Sequence, residues 1–326
     1  MMSYTLLSKK PKIFRTHKNR RFLVPQIEDL SAFTGLSIEE FNRLYPMIAD
    51  RYGDYEKKRL SREGRKKDIG QGRKFKLDLI DRLLMLLVYY RLYITYTLTG
   101  FLFNLDQSNV YRNIKHLEPL VKECIPLPDR VHRATKKIKN LEELLKYFPE
   151  MKAFLDATEQ EIPRPKNKRR RKSYYSGKKK RHTVKTQIIT NKDGLIIHKT
   201  GHVHGRKHDY DLFKDKHPPI PKDVEMNADL GYQGIDKDFP SLKSRIPIKR
   251  KRGKVLEKKD KRYNKKFNRT RVVVEHAIGG MKKFKIMGSI FRNRLRRYDD
   301  MTSIVSGLIN FRVMMSSGFD LNGFVA

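Results

Sequence analysis

Residues 151–162 read MKAFLDATEQEI, and residues 224–234 read VEMNADLGYQG. In each, a short apolar run stops at an aspartate, Asp156 in the first and Asp229 in the second. Runs this short, bounded by polar residues, predict strands AFLDAT (153–158) and VEMNAD (224–229), so each strand is expected to end in a carboxylate. Between them lie two more strands, HTVKTQIITN (182–191) and GLIIHKTGH (194–202). The turn sequence Asn191-Lys192-Asp193-Gly194 joins these two as a hairpin. Asp209 is placed to cap a helix, DYDLFKD (209–215). A further strand, RIPIKR (245–250), and a long helix over about 258–286 follow. Three strands, helix, strand, helix, strand, helix is the order of an α/β domain with a mixed sheet, antiparallel first and extended by parallel crossovers.

The long helix supplies a third acid. At 100° per residue Asn268, Arg271, Glu275 and Lys282 share one face, while Val272, Val273, Val274, Ile278, Met281 and Phe284 cover much of the rest. Three carboxylates on two strand ends and a helix suit hard divalent cations such as Mg²⁺, which takes oxygen ligands and substrate phosphates. Two such ions activate an attacking oxygen and stabilise a leaving one in phosphoryl displacement. Arg271 and Lys282 are then placed to hold phosphates. Singly, each acid reads better as a structural residue, Asp156 and Asp229 as turn residues or helix caps and Glu275 as an ion-pair partner of Arg271 four residues before it. Only the ordered set of three in a basic domain favours the site.

Upstream the text is helical. Thr34 or Ser37 can cap a helix with Glu39 and Glu40 in its first turn and Phe41, Leu44, Tyr45 and Ile48 at helical spacing. A charged connector (57–74) leads to KLDLIDRLLMLLVYYRL (76–92), a buried helix, and YTLTGFLFNL (96–105), a shorter one. Ser108 is a candidate cap for NVYRNIKHLEPLVKEC (109–124). Helix, tight turn, helix with polar residues in its first turns is the helix-turn-helix pattern. It sets Gln107, Ser108, Asn109, Arg112 and Asn113 toward a DNA major groove; three-helix packing without DNA is the alternative. The expected organisation is a basic arm (1–30), a helical DNA-binding domain (31–128) with the helix-turn-helix at about 76–123, and a catalytic domain (129–326). Within the last, IPLPDR (125–130) is a link, NLEELLKYF (140–148) a helix, and DDMTSIVSGLINFRV (299–313) an amphipathic helix.

Lys and Arg number 74 against 36 Asp and Glu, a net charge of +38 in 326 residues. A field of that size draws polyanions and binds nucleic acid through counterion release. Hydrophobic residues make up 38%, with 16 Tyr and 17 Phe, enough for a core and against global disorder. No apolar run reaches the ~18 residues that span a bilayer, and no signal-peptide pattern opens the sequence. The single Cys124 excludes an intrachain disulfide and fits a reducing compartment. The basic run 163–182, with Arg169, Arg170, Arg171, Lys172, Lys178, Lys179, Lys180 and Arg181, is expected to be a DNA-gripping loop. HVHGRKH (202–208) is read as a strand-to-helix turn with His208 near the site, in preference to a zinc site.

The ordered motifs resemble those of the DDE transposases of bacterial insertion sequences, in the insertion-sequence-five group with its Harbinger-like relatives. They are FLDATEQ at the first acid, Gly205-Arg206-Lys207-His208-Asp209, NADLGYQG at the second acid, and Arg271-x₃-Glu275-x₆-Lys282. The resemblance covers about 151–315, and the helical part also resembles the domain that precedes the catalytic one. It implies a ribonuclease-H-like mixed sheet flanked by helices, preceded by an all-α helix-turn-helix domain. It further implies Asp156, Asp229 and Glu275 as a triad holding two Mg²⁺ ions, with Mn²⁺ as substitute. The gap from Asp229 to Glu275 is too short for a large inserted domain. Where related enzymes carry a tyrosine three positions before the arginine, this chain has Asn268. The implied function is binding of terminal inverted repeats, hydrolysis at the element ends and transfer of the 3′-hydroxyl to target DNA, by a homodimer in a bacterial cytoplasm. A catalytically silent DNA-binding regulator, a stand-alone nuclease and an RNA-binding basic protein are the other readings.

Overall fold

The computed structural model describes residues 30–324, apart from 62, 65–67, 69, 70, 73, 252 and 320. The basic arm expected at 1–30 lies outside the described residues except for Leu30. The chain forms two compact units, one of residues up to 125 with 284–286, the other of 126–283 with 287–324.

The first unit is helical, with α1 (Leu30–Thr34), α2 (Ile38–Leu60), α3 (Leu79–Leu92), α4 (Tyr96–Phe103) and α5 (Gln107–Cys124). Ser37 caps α2 in a reciprocal box: its hydroxyl accepts from Glu40 N (3.1 Å) while Glu40 Oε2 accepts from Ser37 N (2.7 Å). Helix α3 is buried on nearly every side, as its unbroken apolar run predicts. Asp106, not the expected Ser108, occupies the N-cap of α5. The reason is the turn: Asn104 ends α4 in the left-handed conformation and Leu105 N bonds back to Gly100 O at 2.8 Å, so the next helix starts early. A Cβ on Gly100 would lie 2.3 Å from Leu105 O, so only glycine allows this closure.

One buried cation organises this unit. Arg82 on α3 donates from Nε to Asn113 Oδ1 (2.6 Å) and from Nη1 to the Tyr52 hydroxyl (2.8 Å). Its Nη2 donates to His116 Nδ1 (2.5 Å), which leaves the imidazole proton on Nε2 to donate to Glu56 Oε1 (2.5 Å). The guanidinium also lies 3.6 Å from the Phe75 ring centroid. Asn113 and His116 are both on α5, so the network fixes that helix against α2 and α3.

The second unit begins with α6 (Pro128–Thr135) and α7 (Leu141–Tyr147). The expected link at 125–130 in fact starts α6, with Pro128 in the first helical position, where its missing N–H is harmless. Then come β1 (Lys152–Glu161), α8 (Lys168–Tyr174), β2 (Tyr175–Ser176), β3 (Arg181–Asn191), β4 (Ile196–Lys199), β5 (Val203–His204) and α9 (Asp209–Lys216). The chain continues through β6 (Glu225–Asn227), α10 (Ile235–Asp238), β7 (Ser244–Arg245), α11 (Lys258–Lys283), α12 (Lys285–Gly288) and α13 (Tyr298–Ser316). The sheet order is β2-β3-β1-β6-β7, with β4 and β5 also pairing β3. Strands β1 and β3 are antiparallel, whereas β6 adds parallel to β1 and β7 parallel to β6. This is the mixed, helix-flanked sheet of a ribonuclease-H-like α/β fold, following a helical region with the helix-turn-helix.

Four local expectations are corrected. The run 163–182 is not all loop, since it contains α8 and β2. The segment 194–202 yields only β4, with β5 following it. RIPIKR shrinks to a two-residue pairing because Pro247 has no N–H to give a ladder, and Ile248 bonds through both N and O to the Asn264 side chain of α11. Helix α13 is buried nearly all round, among α6, α11 and β4, instead of amphipathic. Inside it Asn310 satisfies Ile196 N (2.7 Å), Ile196 O (2.9 Å) and Pro126 O (3.1 Å).

His198 on β4 packs edge-on to His132 of α6 at 5.1 Å. Burial, with the neighbouring His132 and Lys199, pushes His198 down to about 3, and burial lowers His132 as well. Both rings are therefore neutral in the folded protein. Their folded pKa values lie below the unfolded one, so the stability they contribute is complete above pH 6.5 and falls as pH drops toward 3. An acid-induced loss of a few kcal/mol is expected in this window. Denaturant titrations at pH 7.5, 5.5 and 4.5 should show it, and His198→Leu should flatten it.

Candidate active site

Pairing of β6 with β1 covers only Lys152–Phe154 against Glu225–Asn227. Beyond it β1 keeps β3 as its neighbour through Glu161, so Asp156 lies mid-strand and not at a strand end as expected. Asp229 lies two residues past β6, where its Oδ1 accepts from Gly231 N at 2.7 Å and caps a turn of 3₁₀ helix. Both acids thus stand where the sheet opens beside β1. Asp156 Oδ1 accepts from Ala157 N (2.7 Å). Burial pushes the Asp156 carboxyl up to about 6, with the Asp229 and Asp209 charges adding to the rise and Ala157 N–H and Arg271 opposing it.

Helix α11 packs on β1. Arg271, 7% exposed, points its Nη2 at Asp156 Oδ2 from 3.5 Å. Its guanidinium therefore faces the acid, not solvent, in contrast to the phosphate-facing role expected of it. Burial lowers the Lys282 ammonium, and Lys179 lowers it further, against the opposing charges of Asp156 and Glu159. Arg271 and Lys282 thus both reach the surroundings of Asp156, and Glu275 lies between them on the same helical face. Glu275 itself is exposed. Among the described residues no three acids or histidines converge closely enough to hold a metal ion by themselves.

His208, not Asp209, caps α9: its Nδ1 accepts from Tyr210 N at 3.3 Å and Asp209 is the first helical residue. His202 is bound to Asp299 at 2.9 Å and His204 sits in β5, so the three histidines of HVHGRKH have separate duties. Of the basic residues, Arg169, Arg170 and Lys172 are exposed on α8 and Arg171 is half-buried there. Lys178, Lys179 and Lys180 are exposed before β3, which Arg181 begins. On α5, Gln107, Ser108 and Arg112 are exposed and Asn109 is half-buried. Asn113 is the exception, buried and bound to Arg82, so its side chain is structural and does not face a groove.

Sequence reasoning missed several polar residues beside the acids. Gln187 Nε2 donates to the Tyr232 hydroxyl (2.7 Å) and to Asp209 O (3.2 Å). Tyr232 is fully buried, and burial followed by the charges of Asp209, Asp156 and Asp229 pushes its hydroxyl well above the usual tyrosine range. Lys185 and Glu159, paired across β1 and β3, are buried as well. The signal available was Lys185 and Gln187 beside the apolar Val184, Ile188 and Ile189 of β3.

Two known families match this chain. The "DDE superfamily endonuclease" family matches residues 155–310, and the "Helix-turn-helix of DDE superfamily endonuclease" family matches 75–127. A protein of Microchaete diplosiphon, named "Probable transposase for insertion sequence element IS702", is 35% identical over 255 residues, 77% of this chain and 87% of that protein. The chain belongs to the DDE transposases of insertion sequences. No solved structure gives a significant match.

In this transposase Asp156 and Asp229 offer carboxylate oxygens, the ligand type that hard divalent cations take. The motif glycine Gly205 has a steric role: a Cβ there would lie 1.8 Å from Thr183 Oγ1 and 2.8 Å from Thr183 O. Gly205→Ala is expected to push β5 off β3 and destabilise the transposase by about 2–3 kcal/mol, read as a lowered urea midpoint.

Among the described residues no helix is long and apolar enough to cross a membrane.

Proposed function

We propose that this transposase binds the terminal inverted repeats of its element through residues 31–128 and cuts and joins DNA through residues 129–326. What supports the reading is that the charge of Asp229, just past β6, is felt at Asp156 on the neighbouring β1, and that Arg271 of α11 lies against Asp156. When bound, two Mg²⁺ ions would activate the attacking water or 3′-hydroxyl and stabilise the leaving oxygen. Asp156 and Asp229 would hold both ions and Glu275 would complete one. For that, α11 carries Glu275 on the same face as Arg271 and Lys282. Lys282, with Lys179 near it, would hold the phosphate next to the scissile one, and Arg271 would orient the Asp156 carboxylate. Exposed Gln107, Ser108 and Arg112, with half-buried Asn109, would read the repeat in the major groove, with Arg169, Arg170, Lys172, Lys178, Lys180 and Arg181 gripping the backbone. His208 would keep Nε2 for a phosphate while Nδ1 caps α9.

Two ends must meet for transposition, so a homodimer forms at synapsis, and the working compartment is the bacterial cytoplasm. The test is cleavage and strand transfer on DNA carrying the repeats that flank the gene, in Mg²⁺ and in Mn²⁺. Cleavage with joining supports the reading. Specific binding without cleavage in either metal identifies a DNA-binding regulator instead, and cutting without joining a nuclease.

A further inference from the structure

Lys185 lies at the centre of the sheet, flanked by Glu159 of β1 on one side and Val203 of β5 on the other. Its side chain is 7% exposed. A lone ammonium in such a place is strongly disfavoured unless oxygens replace its water. Three do. Nζ lies 2.6 Å from Asp209 Oδ1 and 3.6 Å from Glu159 Oε1, and it donates to Lys207 O at 2.6 Å. The arrangement is held from outside as well. Glu159 Oε2 accepts from Thr183 Oγ1 (2.7 Å), and Asp209 O accepts from Gln187 Nε2 (3.2 Å). Gly205 brings the 203–209 segment close enough for Lys207 O and Asp209 to reach the ammonium, its N bonding Thr183 O at 2.9 Å.

Two carboxylates and a carbonyl around one positive centre form the shell a small cation would take. Asp209 is also close enough to Asp156 for its charge to be felt there. Four carboxylates thus belong to neighbouring segments: Glu159 is three positions from Asp156 on β1, and the charges of Asp209 and Asp229 both act on Asp156. A single mobile ion pool offered all four would have competing places to settle.

We propose that Lys185 is a built-in cation that neutralises Glu159 and Asp209, ties the Gly205–Asp209 segment to β3, and thereby restricts divalent ions to Asp156 and Asp229. It is a positioning residue, acting through Glu159 and Asp209. The proposal rests on the reading of Asp156 and Asp229 as metal ligands, and its test separates the two.

The full-length chain is stripped of metal and titrated with Mn²⁺, counting bound ions by electron paramagnetic resonance and following thermal unfolding in parallel. Lys185→Met should bind one more Mn²⁺ per chain than wild type, and Mn²⁺ should raise its unfolding temperature more than it raises that of wild type. Lys185→Met combined with Asp209→Asn should lose both gains. Lys185→Arg should keep the wild-type ion count. At saturating Mn²⁺ the cleavage rate constant of Lys185→Met should fall about tenfold or more, as outer-sphere changes do at metal sites, with metal-free DNA affinity unchanged. An equal Mn²⁺ count and an equal thermal shift in Lys185→Met and wild type would overturn the proposal. If Lys185→Met does not fold, Asp209→Asn alone decides: an unchanged ion count supports the proposal, and loss of an ion makes Asp209 a ligand and overturns it. If Asp156→Ala keeps every Mn²⁺, the underlying site reading fails independently of Lys185.

Discussion

Asp156→Ala and Asp229→Ala should each lower Mg²⁺-supported cleavage by at least about a thousandfold, because each removes transition-state charge stabilisation of several kcal/mol. DNA binding without metal should remain. Glu275→Ala should act in the same direction, and cleavage surviving all three substitutions would place the site elsewhere. Asp156→Asn carries a second, opposite expectation. The folded protein raises Asp156 from 3.8 to about 6, chiefly by burial. A carboxyl raised in this way favours the fold fully below the unfolded pKa and loses that contribution as pH rises through about 6. At pH 8 the metal-free enzyme therefore carries a penalty of up to about 3 kcal/mol for the ionised acid. The neutral amide avoids it, although it leaves Arg271 without its counter-ion. Asp156→Asn should thus be dead in cleavage yet more stable than wild type at pH 8, with the gain vanishing by pH 4. Denaturant titrations without metal at the two pH values check this. An equal or lower stability of the variant at pH 8 would mean that the pairing with Arg271 outweighs the burial. Stability given up for a charged site is a common feature of functional residues.

Arg82→Met should destabilise the helical unit by about 3–5 kcal/mol, the range for breaking a buried charge network by removing one partner. The substitution keeps much of the volume but strips donors from Asn113 Oδ1, the Tyr52 hydroxyl and His116 Nδ1. Arg82→Lys should recover little, since one ammonium cannot reproduce the planar fork that serves three directions. Because Asn113 and His116 both belong to α5, the loss should appear as faster amide exchange along α5 and weaker sequence-specific DNA binding. Basal, salt-sensitive binding through surface Lys and Arg should persist. A destabilisation below about 1 kcal/mol would mean that apolar packing alone holds α5 in place.

Much was legible in the linear text because it depends on local rules. The Ser37 box with Glu40, the unbroken apolar run of α3, the hairpin turn at 191–194 and the helical face of Arg271, Glu275 and Lys282 follow from periodicity and capping chemistry. The strand ends were less so. Asp156 was expected to finish a strand because the apolar run stops there, but β1 continues since β3 still offers it a ladder after β6 has ended. Asn113 has the composition of a base-reading residue and is spoken for by an arginine 31 positions away.

By itself, then, the sequence determined the two apolar runs that stop at acids, the long helix that follows them, the helical segment ahead of them and the net positive charge, because each is written in residue type and short-range spacing. Only the tertiary structure decided which polar groups meet. Arg271 turning onto Asp156, Lys185 enclosed by Glu159, Asp209 and Lys207, and Arg82 holding α5 all join residues far apart in the chain. In each, a charge withdrawn from water must find oxygens or aromatic rings wherever the fold brings them, and no local pattern records that choice.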